Sequence, residues 1–153
     1  MHSVIEVPIR ALPPSLWPAY VAMREAMTRS TCKRRKVACV ITYFDGLIAA
    51  VGHNSETAGY PYVCKNIPRQ CGCTHAEVAA TAKLTAFRDA PMIALITCAP
   101  CLNCYHALRL AGVVNFWWID DSEPGVDTVA LMRSHYAITM QRFIDYPWSK
   151  ASE

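Results

Sequence analysis

Two short stretches of this chain hold residues whose types and spacing suit chemistry: Thr74-His75-Ala76-Glu77 and Pro100-Cys101-Leu102-Asn103-Cys104. Cysteines three apart share one face of a helix and can both reach one metal ion. Pro100 suits the first turn of that helix, where its missing N–H would be unpaired anyway. The free N–H groups of such a turn also favour thiolates, the form that binds metal. One imidazole and two thiolates, from His75, Cys101 and Cys104, make the three-ligand set of a catalytic zinc site, which leaves the fourth position open to water. Zinc in such a site lowers the pKa of water from about 15.7 to about 7, so the chemistry implied is hydrolysis. Glu77 lies about 200° around a helix from His75. That places it beside the metal, where a carboxylate can carry protons between water and a substrate.

Two plainer readings use the same residues. Thr74 and Glu77 form a capping box, in which Glu77 pairs a backbone N–H at a helix start. Alternatively Cys71 or Cys73 closes a four-ligand structural zinc, and the protein is a non-catalytic, zinc-stapled binding module. Neither uses an open zinc position. The ordered pair H-x-E and P-C-x-x-C, each half opening a helix, is the pattern of zinc base deaminases.

The elements that must position these residues follow from period and punctuation. Ser15 is placed to cap a first helix that runs to about Ser30, with Pro18 in its first turn. Val37 to Phe44 and Leu47 to Val51 read as antiparallel strands joined at Asp45-Gly46. His53 to Thr74, with its glycines, prolines and three cysteines, reads as a long loop that needs a local staple. An Ala-rich helix from His75 to Phe87, a strand from Met92 to Cys98, a helix from Cys101 to Ala111 stopped by Gly112, and a strand from Val113 to Ile119 come next. A helix from about Val126 to His135 and a strand from Tyr136 to Met140 complete the series. Alternation of this kind predicts a three-layer α/β/α fold around a five-stranded mixed sheet, with the last two strands parallel because a helix separates them.

Composition supports one globular domain over residues 1–153, with 53% apolar and 18% charged residues. The opening residues lack the basic and apolar regions of a secretory signal, and no apolar run reaches the ~18 residues of a membrane span. Eight cysteines in that setting read as reduced thiols and metal ligands in a cytoplasm. The net charge is +3, and the one dense basic tract is Lys33-Arg34-Arg35-Lys36. That tract is too short to argue by itself for a nucleic-acid groove; a small anionic ligand suits it equally well, and a solvated basic turn is the plainer reading.

Arg29-Ser30-Thr31-Cys32-Lys33-Arg34-Arg35-Lys36-Val37 precedes the first of these strands, Gly52-His53-Asn54-Ser55 follows the second, and both zinc motifs come after them. With these stretches the chain resembles the deoxycytidylate (dCMP) deaminase family over roughly residues 20–120. The resemblance implies the cytidine deaminase fold and hydrolysis of dCMP to dUMP and ammonia. It implies a catalytic zinc on His75, Cys101 and Cys104 with Glu77 as proton shuttle, and a homo-oligomer, often a hexamer. It also implies substrate contacts at Asn54 and Ala76, and it makes Arg34, Arg35 and Lys36 candidates for the phosphate. Cys32 and Cys64 match cysteines that some members use for a second, structural zinc, with Cys71 and Cys73 as natural companions. Cys39 and Cys98 are expected to pack as small apolar residues, and His2, His53, His106 and His135 as surface or packing histidines.

The chain departs from the family at four places. Ala79 stands where an Asn usual in the family follows the H-A-E motif, and Thr57 where a Pro is usual. The G-Y-N-G loop, which carries triphosphate regulation in the family, is Gly52-His53-Asn54-Ser55 here. No residue of 116–121 clearly matches the aromatic that stacks on the base. A base in RNA or single-stranded DNA is the competing substrate, since tRNA adenosine deaminases share both zinc motifs. Such an enzyme needs a continuous basic channel with aromatic surfaces.

Overall fold

The computed structural model describes residues 3–55, 64–67, 71–84, 89–120, 123–135 and 138–145. Its strands are β1 (Ile5–Val7), β2 (Ala38–Tyr43), β3 (Ile48–His53), β4 (Met92–Cys98), β5 (Val113–Asp120) and β6 (Thr139–Phe143). The helices are α1 (Trp17–Thr28), α2 (Ala76–Ala82), α3 (Leu102–Ala111) and α4 (Glu123–Met132). The strands form one sheet in the order β1-β6-β5-β4-β2-β3. β2 runs antiparallel to β3 and β4, whereas β4 with β5, β5 with β6 and β6 with β1 are parallel.

Strand period 2 sorts the apolar residues into two cores. Ala38, Val40, Ile93, Leu95, Trp117 and Ile119 face α1 and pack with its Ala19, Tyr20, Met23 and Ala26. Cys39, Ile41, Ala94, Ile96, Phe116 and Trp118 face the other way, against Ala76 and Ala80 of α2, Tyr105 and Leu108 of α3, and Met132 of α4. The result is a three-layer α/β/α fold. Cys39 and Cys98 are buried in the second core as expected, and burial raises both thiols, Cys98 to about 12.

Among the described residues the sheet has six strands, where the sequence predicts five. β1 is three residues long, mostly exposed and followed by Pro8, so it offers no alternation to read. It is held by its pairing to β6, by the Glu6–Arg142 ion pair and by the N–H of Ile144 donating to the Val7 carbonyl at 3.1 Å. Ser15 does not cap α1. A 3-10 turn, Pro14–Leu16, leads straight into the helix, Leu16 takes the capping position already in a helical conformation, and no side chain caps it.

The remaining boundaries shift by a few residues. α2 reaches its C-cap at Lys83, short of the predicted Phe87, which lies outside the described residues, as do His2, Thr57 and Tyr136. α4 starts at Glu123 rather than Val126, because Pro124 is tolerated in a first turn. The last strand begins at Thr139, where pairing to Asn115 sets in. Ser55 and Thr74 pair across the base of the predicted long loop.

Candidate metal and active site

Four chain segments meet at one edge of the sheet: the start of β2 and the ends of β3, β4 and β5. The edge follows from the pairing, since Ala38 is in register with His53, Cys39 with Ile96, and Cys98 with Asp120. α2 and α3 both begin there. His75 is the residue before α2, with extended backbone (φ −68°, ψ 147°), and Cys101 the residue before α3 (φ −70°, ψ 168°). α3 itself is bounded as predicted, by Pro100 before it and by Gly112, at φ 107°, after it.

These two starts bring the first predicted set together. The His75 Nδ1 lies 3.3 Å from the Cys104 Sγ and 3.7 Å from the Cys101 Sγ. The three donor atoms fall within 4.8 Å of one another. Cys104 is buried, Cys101 half-buried and His75 exposed, so the cluster opens to solvent on the imidazole side.

The two thiols of this cluster shift in opposite directions. Cys101 is held down to about 4 by hydrogen bonds from Cys104 and then His75. Cys104 is raised, chiefly by the neighbouring Cys101 thiolate and then by burial. His75 is raised by its hydrogen bond to Cys101. One imidazole and two thiols, one held low and its neighbour raised, make a soft donor set that fits a zinc dication.

Glu77 lies outside this cluster. It is the second residue of α2 and only 4% exposed, and its carboxyl feels the charges of His75 and Cys101. Burial raises its pKa, partly offset by its own backbone N–H and by His75. The rotation of 200° expected for two residues of one helix does not apply, because His75 precedes the helix in extended backbone. The capping-box arrangement is also not formed, because His75 and not Thr74 holds the cap position, and no side chain caps it.

Gly52 of β3 lets α2 sit this close. A Cβ there would stand 2.4 Å from the Ala76 carbonyl oxygen and 2.5 Å from the Ala80 nitrogen.

A second cluster lies close by in sequence. The sulfurs of Cys32, Cys64, Cys71 and Cys73 all fall within 4.8 Å of one another, with Cys32 3.9 Å from both Cys64 and Cys71. A tetrahedral zinc with bonds of about 2.3 Å spaces its sulfurs about 3.8 Å apart, so these distances fit. Gly72, at φ 77°, makes the tight Cys-Gly-Cys turn that aims both flanking sulfurs inward. The N–H of Lys33 donates to the Cys64 sulfur at 3.4 Å. Although burial opposes it, this bond, the Asn66 N–H, and Cys73 and Cys32 bring Cys64 down to about 7. Cys71 and Cys73 therefore join Cys32 and Cys64 rather than closing the cluster of His75.

Asn54 sits 8% exposed at the end of β3. Its Oδ1 accepts the Val37 N–H at 2.8 Å and the Ser30 hydroxyl at 2.6 Å, and its Nδ2 donates to the Arg35 carbonyl at 2.5 Å. The amide thus ties residues 30–37 to the sheet edge and has one N–H left for a ligand. Ala76 is fully buried at the first turn of α2.

Of the basic tract, Lys36 donates to the Ser30 carbonyl at 2.9 Å, and Arg35 pairs with Asp120 at 3.3 Å. With Met27, Thr28 and Cys32 the tract lines a cleft of about 410 Å³. His53 bonds Ser55, and His135 bonds the buried Tyr105. Ser30 and Asp120, which the sequence reading did not single out, belong to this edge. A carboxylate at the C-terminal end of a strand is the one signal that points to Asp120.

Residues 19–119 match the cytidine and deoxycytidylate deaminase zinc-binding region. Comparison with curated protein sequences finds no match. Among solved structures, the dCMP deaminase of cyanophage S-TIM5 in complex with dCMP and dUMP is similar, with a TM-score of 0.69 and 22% identity over 86% of this chain and 99% of that one. Its apo form gives 0.68 at the same identity and covers 100% of that chain. RibD of Acinetobacter baumannii, form 2, gives 0.53 and 21% over 85% of this chain and 35% of that one. Fold and site together define a chain of the deaminase class with a His-Cys-Cys set that fits zinc. More particularly, the chain belongs to the cytidine and deoxycytidylate deaminase family. Among the described residues, no helix is long and apolar enough to cross a membrane.

Proposed function

We propose that this protein hydrolyses the exocyclic amine of a cytosine nucleotide, converting dCMP and water to dUMP and ammonia. The observation that carries the reading is a buried carboxyl, Glu77, two residues on from His75 and in the electrostatic field of a three-donor His-Cys-Cys cluster that opens to solvent. His75, Cys101 and Cys104 would hold the catalytic zinc, which when bound supplies Lewis acidity toward water. Glu77 then does the proton work. Its carboxylate accepts a proton from the attacking water, delivers it to the ring nitrogen beside the reacting carbon, and later protonates the departing amine. A carboxyl raised by burial suits this double duty, because it takes up a proton more readily than an exposed carboxylate and can hand it on.

Asn54, through its remaining N–H, and Ala76, at the α2 start, serve as substrate contacts in this reading. Arg34, Arg35 and Lys36 supply positive charge for the phosphate. Cys32, Cys64, Cys71 and Cys73 hold a second, structural zinc that staples the loop after β3 to the segment after α1. The likeness in fold to a phage dCMP deaminase solved with dCMP and dUMP supports a mononucleotide substrate; a cytoplasmic homo-oligomer is part of the same reading.

Ammonia release from cytosine, deoxycytidine, dCMP, CMP, dCTP and single-stranded DNA tests the proposal. Fastest turnover of dCMP is expected. Faster turnover of single-stranded DNA would move the protein to polynucleotide editing, and no ammonia from any of them would leave a binding module.

A further inference from the structure

Ser30, two residues past α1, is only 5% exposed. Its hydroxyl oxygen stands 2.6 Å from the Asn54 Oδ1 and 2.7 Å from the Asn54 carbonyl oxygen, so its one proton is shared between them. The same hydroxyl accepts the N–H of Cys32 at 3.3 Å. Cys32 carries one of the four sulfurs of the second cluster, so two hydrogen bonds in series run from that cluster to the Asn54 amide. A second path closes the circuit. Cys73, also of the cluster, is followed by Thr74, whose N–H donates to the Ser55 carbonyl at 2.9 Å while the Ser55 N–H donates to the Thr74 carbonyl at 3.3 Å. Asn54 and His75 therefore flank one two-bond bridge, and the cluster is joined to each arm of it.

The direction of the amide follows from what holds its oxygen. Oδ1 accepts the Ser30 hydroxyl and the Val37 N–H, which fills both of its lone pairs. Nδ2 gives one proton to the Arg35 carbonyl and keeps the other. Turned over, the amide would set its NH2 against the Val37 N–H, donor against donor. Asn54 can therefore offer a ligand a donor but no acceptor. We propose that Ser30 is a positioning residue: it fixes which end of the Asn54 amide is free for a hydrogen-bond acceptor of the substrate, and it makes that hold depend on the four-cysteine cluster being closed. The inference rests on the reading of Asn54 as a substrate contact.

The test is kcat and KM for dCMP in wild type, S30A, N54A, C32S and the double variants S30A/N54A and S30A/C32S, with zinc content and melting temperature as controls on folding. In S30A the KM is expected to rise roughly two- to tenfold, the worth of one neutral hydrogen bond, while kcat stays near the wild-type value. Because Ser30 acts through Asn54, S30A/N54A should match N54A alone. C32S opens the cluster and should raise the KM too, and S30A should gain little from it in the double variant. Exchange of the Val37 amide hydrogen, followed by NMR with no turnover involved, should quicken by a similar factor in S30A and in C32S.

An unmoved KM in S30A, losses that add in either double variant, or unchanged exchange at Val37 in S30A or C32S would overturn the inference while leaving the proposed function standing. Should S30A not fold, S30C takes its place, since a thiol is a weaker donor than a hydroxyl, and a wild-type KM there overturns the inference equally. A wild-type protein that releases no ammonia from dCMP or deoxycytidine overturns the proposed function, and exchange at Val37 then still decides whether Ser30 links the cluster to Asn54.

Discussion

Replacing Gly52 by Ala tests whether the closeness of β3 and α2 sets the geometry of the site. The new Cβ would stand 2.4 Å from the Ala76 carbonyl oxygen, 2.5 Å from the Ala80 nitrogen and 3.0 Å from its Cα, whereas ordinary contact starts at 3.4 Å. The opposing atoms are all backbone, so no side chain can swing aside. The gap must therefore widen by about 1 Å, which is 3.4 less 2.4. β3 is an edge strand but is tied to β2 along its length, so α2 takes much of the movement and carries Glu77 with it, and His75 at its cap.

A misplacement of 1 Å can cost about a hundredfold in rate. Sharing it between strand and helix gives an expected fall in kcat/KM of roughly ten- to a hundredfold. Overpacking of this kind also costs about 1–3 kcal/mol, and each kcal/mol lowers the melting temperature of a domain this size by about 2–4 °C. Ammonia release on dCMP and a thermal melt measure both. Turnover and melting temperature equal to wild type would refute the claim that this glycine sets the approach.

Glu77→Gln should keep zinc and the fold but lose roughly 10²- to 10⁴-fold in kcat, the range for removing a general acid–base. Cys101→Ala should lose metal and turnover together, as elemental analysis and an ammonia assay would show. Two zinc ions per chain are expected, falling to one in Cys32→Ser, and a value of one in both proteins would remove the structural site. In metal-stripped protein at pH 6, iodoacetamide should label Cys101 first of the eight cysteines, because its pKa of about 4 keeps it a thiolate while it stays partly exposed. Mass spectrometry of the labelled peptides checks this, and faster labelling of Cys39 or Cys98 would contradict the charge assignment.

Much of the fold was legible where local chemistry and tertiary packing agree. Pro100 and Gly112 bracket α3, and alternation in 38–41, 93–96 and 116–119 sorts residues to the two faces of the sheet. β1 was not legible, since three residues show no period and the strand exists only through its pairing to β6. The four cysteines of the second cluster stand out in the sequence, but their convergence depends on a left-handed turn at Gly72 and on a chain reversal that returns 64–73 to Cys32. Arg35 and Asp120 are 85 residues apart, and no local pattern links them.

The placement of Glu77 shows where such reasoning meets its limit. Counting 200° around a helix assumes that His75 and Glu77 share helical backbone. In the structure His75 is extended, as is Cys101 at the start of α3. At these two positions the free N–H groups of a helix start favour a thiolate, while non-helical backbone frees the side chain from the 3.6-residue period. The same argument covers Asn54, one residue past the end of β3. Sequence marks it as polar at a strand end, but only tertiary contact shows its amide turned onto Ser30, Arg35 and Val37. Periodicity therefore reads best in element interiors, while the candidate chemistry of this protein sits at element ends, where side-chain direction is set by partners distant in the chain.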